Sequence, residues 1–210
     1  MENILVAGAN GTTGKVIVRL LCQSDDFNPI AMVRKKDDLA QFEDHNIQTV
    51  LADLEDDLAS VFDTSIDRVI FAAGSGGKNV IGVDQEGAKK LMDASKKAGV
   101  KKFVMLSSMG ADKPEEATQL QDYLKAKHNA DVYLKNSGLH YSIVRPGTLT
   151  NEPPIDSIKL EPKLGKHGEI SRADVAQTLM QSLYDQVAPN ATFEIIKGEI
   201  GIQKALEQIR

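Results

Sequence analysis

The sequence predicts a single α/β domain with a doubly wound, mainly parallel sheet and helices on both faces. Three observations predict it. Short apolar, β-branched runs alternate with segments of helical period along the chain. The first run passes straight through a glycine-rich turn into a helix, Ile4-Leu5-Val6-Ala7-Gly8-Ala9-Asn10-Gly11-Thr12-Thr13-Gly14. The length of 210 residues and an ordinary apolar share of 41% suit one domain that buries its own core.

Taken in order, strands are expected over 3–7, 28–33, 49–51, 67–73, 102–106, 141–144 and 192–196. Helices are expected over 12–24, 37–44, 80–98, 115–136, 171–186 and 203–209. The helix over 80–98 rests on an apolar stripe at 80, 83, 88, 91, 92 and 94, with Gly99 as its stop. Ser171, with Asp174 three residues on, reads as a capping box. Residues 147–170 hold Pro153, Pro154 and Pro162 and show no clear period. They read as an irregular substrate or lid region in a small C-terminal part.

Composition narrows the function. The net charge is −5 and the lysines are scattered among acids, which argues against nucleic acid as a partner. No apolar run reaches the roughly 18 residues that span a bilayer, and the chain opens on a strand rather than a leader. A cytoplasmic location with no membrane partner is the expectation. The single cysteine, Cys22, excludes an intrachain disulfide and reads as a core residue. The histidines at 45, 128, 140 and 167 are dispersed, so no metal site is expected.

The glycine-rich turn carries the first chemistry. Gly8 allows a tight turn, Gly11 lets a pyrophosphate approach the main chain, and Gly14 lets the helix pack closely. The helix-start amides would face the phosphates. At the end of the second strand stand Arg34 and Lys35, a donor fork and a second cation that suit a 2′-phosphate and so favour NADP over NAD. Asp53 follows the third strand and reads as an adenine contact or as a helix cap.

Tyr123 and Lys127 stand four apart, on one face of a helix. A lysine beside a phenol favours the phenolate, which makes Tyr123 a candidate proton donor and Lys127 its tuner and a ribose anchor. Ser107 and Ser108 close the fifth strand, where either could bond a substrate oxygen. Asp84 and Gly87 read as a helix start and a packing contact.

In order along the chain stand Gly-Ala-Asn-Gly-Thr-Thr-Gly, Val-Arg, Ala-Asp-Leu, Phe-Ala-Ala-Gly, Val-Asp-x-x-Gly, Ser-Ser-Met-Gly-Ala-Asp, Tyr-Leu-x-Ala-Lys and Ile-Val-Arg-Pro-Gly. This resembles the atypical short-chain dehydrogenase/reductase superfamily, within it the small NAD(P)-binding NmrA-like, epimerase-like and flavin-reductase-like proteins. The resemblance implies a Rossmann-type fold in which Gly8, Asn10, Gly11, Thr12, Thr13 and Gly14 hold the pyrophosphate. Arg34 and Lys35 would meet the adenosine phosphate, Asp53 and Leu54 would flank adenine, and Ala72, Ala73 and Gly74 would line the ribose side. Ser107 and Pro146 would lie at the nicotinamide end. Ser108, Tyr123 and Lys127 would be the catalytic group. The implied activity is NADPH-dependent reduction of a small carbonyl, quinone or flavin-like acceptor. A non-catalytic NADP(H) sensor and an NAD(P)-dependent epimerase or dehydratase remain as alternatives, in a monomer or homodimer. The serine-to-tyrosine interval, 15 from Ser108, departs from the better-known branches.

Overall fold

The computed structural model describes residues 1–209. The strands are β1 (Glu2–Ala7), β2 (Phe27–Val33), β3 (Gln48–Leu51), β4 (Arg68–Phe71), β5 (Lys102–Leu106), β6 (Tyr141–Pro146), β7 (Thr148–Thr150), β8 (Ser157–Glu161), β9 (Glu169–Ser171), β10 (Ala191–Lys197) and β11 (Ile200–Gly201). The helices are α1 (Thr12–Cys22), α2 (Ala40–Glu43), α3 (Ala88–Lys97), α4 (Gln121–Asn136), α5 (Arg172–Gln181) and α6 (Ile202–Leu206).

The main sheet runs β11-β8-β10-β6-β5-β4-β1-β2-β3. From β3 to β10 every pairing is parallel, and β8 and β11 close the far edge antiparallel. The strand order reverses between β1 and β4, which opens a crevice at their carboxyl ends. Side chains on successive strand positions point to opposite faces, and each face buries its own cluster. Ile4, Val6, Ile70, Val104 and Phe193 pack under α1, α5 and α6. Leu5, Phe71, Phe103 and Ile143 pack under α3 and α4.

The doubly wound, mainly parallel architecture is as expected, and three local expectations are corrected. The helix expected from 115 starts at Gln121. A short 3₁₀ turn at Pro114–Glu116 precedes it, and Leu120 at the junction has φ 56, a left-handed conformation that breaks a continuous helix. The helix expected over 80–98 opens as a wide π-helical stretch, Val80–Gly87, before α3. The region 147–170 is not irregular throughout. β7 and β9 pair with each other, and β8 joins the main sheet through β10. Prolines hid these strands because they fall in the connections rather than in the strands.

Ser171 caps α5, its hydroxyl accepting the Asp174 N–H at 2.9 Å, but the reciprocal half of a capping box is replaced: the Asp174 carboxylate accepts the Ser171 hydroxyl at 2.7 Å. The Asp174 carboxylate also accepts the Asp156 N–H at 2.9 Å, which ties the 147–170 segment to α5. Cys22 is exposed rather than part of the core, because it ends α1 one position past the inward Leu21. No described helix is long and apolar enough to cross a membrane.

Candidate functional site

The loop after β1 has the geometry that its glycines allow. Gly8 sits at φ +86, and a Cβ there would lie 2.6 Å from the Ala73 backbone. A Cβ on Gly14 would fall 2.1 Å from the Gly8 carbonyl oxygen. These two glycines press the loop against the end of β4 and the start of α1. Gly11 is different: a Cβ there would meet only the Gly8 oxygen, at 3.2 Å, and would otherwise project into the crevice. Gly11 is also the N-cap of α1 and offers no side-chain acceptor to the helix, whose first turn has no acidic residue. The Thr12, Thr13 and Gly14 amides therefore open α1 at its positive end. This bare main-chain cradle fits the pyrophosphate of a dinucleotide.

The crevice holds about 400 Å³ and joins most of the residues expected at it: Gly8, Asn10, Gly11, Arg34, Asp53, Leu54 and Ala72–Gly74. Arg34 is exposed, with its Nε 4.0 Å from Asp53 Oδ2. Asp53 also accepts the Glu55 N–H at 3.0 Å, so it closes a turn rather than capping a helix. Leu54 is buried, and Gly87 backs it so closely that a Cβ there would come within 2.7 Å. Lys35 is exposed and opens the 3₁₀ turn beside the crevice without lining it. Asp38, Lys78 and Asn79 line the crevice without having been singled out in the sequence.

At the ends of β4, β5 and β6 the polar residues divide into two groups. Lys127 is 2% exposed. Its ammonium stands 5.7 Å from the centroid of the Tyr123 ring, 5.8 Å from that of Phe71 and 3.3 Å from the Leu106 carbonyl oxygen. The expected helix face is therefore formed. Asp84, fully buried, stands 3.5 Å from the same ammonium, and its other oxygen accepts the Ser75 N–H at 2.9 Å. Reading Asp84 as a mere helix start is thus corrected. The π-helical stretch turns this carboxylate inward, and the available signal was an acid inside an apolar stripe.

Ser107 belongs to the second group. Its hydroxyl is buried and donates to Asp131 Oδ2 at 2.8 Å, and Arg145 donates to the same oxygen at 2.9 Å. Burial pushes the Asp131 carboxyl up from its ordinary value, against the pull of Arg145. The Ser107 side chain thus helps to fasten β5 and β6 to α4. Ser108, half-buried, is the serine of the pair left out of this network. Pro146 is buried, and its carbonyl accepts the Met109 N–H at 3.0 Å, which fixes the Ser107–Gly110 turn. His128 pairs its Nδ1 with the Ala111 carbonyl oxygen at 2.7 Å. Among the described residues no cluster suits a metal ion.

Comparison with known proteins agrees with this fold. A sugar epimerase of Bacillus subtilis, YhfK, itself described as uncharacterized, is 37% identical over 214 residues, covering 98% of this chain and 99% of its own. The structure of the oxidoreductase ylbE of Lactococcus lactis superposes with a TM-score of 0.90 at 31% identity, covering 99% of this chain and 96% of that one. Sanguinarine reductase of Eschscholzia californica is 31% identical over 139 residues, 61% of this chain and 50% of its own. Residues 8–186 match the profile of the NAD(P)H-binding family. The match runs from the turn glycine after β1 to just past α5, and the chain belongs to the NAD(P)H-binding family.

Proposed function

We propose that the chain is an NADP-dependent oxidoreductase that passes hydride from NADPH to a small carbonyl, quinone or flavin-like acceptor. The observation that carries this reading is the α4 face, where the Lys127 ammonium lies 5.7 Å from the centroid of the Tyr123 ring, next to the strand end that bears Ser108. When bound, the reduced nicotinamide supplies the hydride. Tyr123 gives its hydroxyl proton to the acceptor oxygen, and Lys127 on the same helix face anchors the nicotinamide ribose. Ser108 orients that oxygen. Asp84 is the counter-charge that fixes Lys127 at the end of β5.

Arg34 supports the choice of NADP. It is exposed at the mouth of the adenosine half, and its carboxylate neighbour stands at the outer limit of an ion pair, so its fork is free for a 2′-phosphate. The relative named as a reductase supports the reaction class. A second reading, an epimerase or dehydratase that recycles its cofactor, is favoured by the name of the Bacillus relative, which matches nearly the whole chain.

Tyr123→Phe tests the reaction. NADPH consumption with quinone, flavin and carbonyl acceptors should fall roughly 10²-fold or more, while calorimetric NADPH affinity stays unchanged. Turnover that survives the substitution removes Tyr123 from the chemistry. A wild-type protein that binds NADPH and turns over no acceptor is a sensor, and cofactor retained through purification marks the recycling enzyme. Arg34→Ala tests the cofactor choice: NADPH binding should weaken about tenfold or more, with NADH binding nearly unchanged. Equal loss for both dissolves the NADP preference.

A further inference from the structure

A second hollow, of about 700 Å³, lies on the α4 side of the sheet, between the Met109–Lys113 turn, the start of α4 and the 163–167 loop. Met109, Leu120 and Leu124 give it an apolar wall. Two of its three lysines are paired, Lys163 with Asp112 and Lys113 with Glu116, each at 2.6 Å, and Lys166 and His167 stand on the loop at its rim rather than on the strand that bears Glu194.

Glu194 also lines this hollow, and it is the unusual residue. It interrupts the apolar run Phe193–Ile196 of β10 and is only 3% exposed. One carboxylate oxygen accepts the Leu164 N–H at 2.7 Å. Among the described residues no lysine, arginine or histidine forms an ion pair with it. Arg145 is its partner in sheet register, but that guanidinium is taken by Asp131. A carboxylate can accept about four hydrogen bonds, so Glu194 keeps acceptor capacity beside the hollow after its bond to Leu164. A neutral amide would hold the loop as well. The carboxylate offers more acceptor positions than the loop uses, and the hollow is where a further donor can enter.

We propose that Glu194 sets the specificity of this hollow as the acceptor site: it selects an apolar-bodied molecule that presents an N–H or O–H donor and rejects one that presents a carboxylate. The proposal rests on the reductase reading in taking the hollow as the acceptor site, whereas the selectivity is a property of binding alone.

The test is titration of the full-length protein, followed by NMR, with benzamidine, benzamide and benzoate. These are planar rings of one size that carry a cationic donor, a neutral donor and an anion. Affinity should fall in that order, with benzamidine about tenfold or more ahead of benzoate, the scale of one charged hydrogen bond. Glu194→Gln, which still offers an acceptor to Leu164, should bring the three within about twofold and leave NADPH binding unchanged. Glu161→Gln, an exposed acid paired with Glu194 across the sheet, should keep the order, which separates a local effect from the acidic character of the whole chain. Equal binding of benzamidine and benzoate by the wild type overturns the proposal without recourse to any variant. So does an affinity spread that survives Glu194→Gln. If the order holds while no acceptor is reduced, the reductase reading fails and the selectivity stands.

Discussion

The two ends of the sheet treat buried charge differently. At the amino end, Arg68 opens β4 and is fully employed. It donates to both oxygens of Glu2 and of Asp185, and to the Leu183 carbonyl at 2.7 Å. Lys101 bridges Glu2 and Asp67, at 2.7 and 2.9 Å. Lys102, buried, donates to the Tyr184 and Val187 carbonyls, and burial holds its ammonium down to about 8. Among the described residues, the one buried side-chain polar atom without a partner there is the Thr192 hydroxyl.

At the carboxyl end three such atoms gather: Ser75 Oγ, Asp84 Oδ1 and Asp131 Oδ1. The Asp84 oxygen has only the Lys127 ammonium, at 3.5 Å, beyond good hydrogen-bond length. The amino end is a closed joint that holds β1, β4 and the turn after α5 together. The carboxyl end keeps Ser75 and Asp84 under-partnered beside the crevice, at a cost in stability that the closed joint does not carry, while Asp131 leaves one oxygen unpaired within the joint it makes with Ser107 and Arg145.

The largest expected effect breaks the closed joint. Arg68→Leu removes the cation shared by Glu2, Asp185 and the Leu183 carbonyl. Stability in urea should drop by about 3 kcal/mol, reduced from the full cost of breaking a buried pair because Asp185 is largely exposed. NADPH affinity of the folded protein should not change. The pH dependence has a definite sign. Arg68 holds the Glu2 and Asp185 carboxyls below their ordinary 4.5 and 3.8. Their contribution is therefore complete above those values and is lost as pH falls through the lowered ones. Acid destabilisation below about pH 4 should be shallower in Arg68→Leu than in the wild type. An unchanged acid limb, or a change in cofactor affinity, removes the division of labour between the ends.

The same contrast explains what could be read from the sequence. The parallel sheet and the glycine cradle were legible because each follows from local rules: strand period, a turn that needs φ > 0 at Gly8, and a helix start without a capping acid. The Tyr123–Lys127 face was legible because helical spacing alone brings the two residues together. Asp84, Asp131 and Glu194 were not. Each is an acid whose meaning depends on a partner far along the chain: Asp84 on Lys127, Asp131 on Ser107 and Arg145, and Glu194 on Leu164. The division of Ser107 from Ser108 is of the same kind, since neighbours at a strand end face opposite ways and only the fold says which faces the interior. β8 was missed because its antiparallel edge pairing rests on β10, which comes later in the chain.

A smaller effect sharpens the comparison by performing the same operation at the open end. Lys127→Met with Asp84→Asn removes both charges, and the asparagine still offers an oxygen to the Ser75 N–H. Two buried charges held 3.5 Å apart repay little of their desolvation, so an apolar chain of similar length at 127 should be tolerated. Stability in urea should stay within about 1 kcal/mol of the wild type, against about 3 for Arg68→Leu. Lys127→Met alone should cost more than the double substitution, because it strands the fully buried Asp84 carboxylate. Reduction of an acceptor should fall with the double variant although the fold persists, since Tyr123 loses the ammonium near its ring. A double variant as unstable as Arg68→Leu would make Lys127–Asp84 one more structural joint. One that is stable and inactive shows an end of the sheet where charge is kept for chemistry.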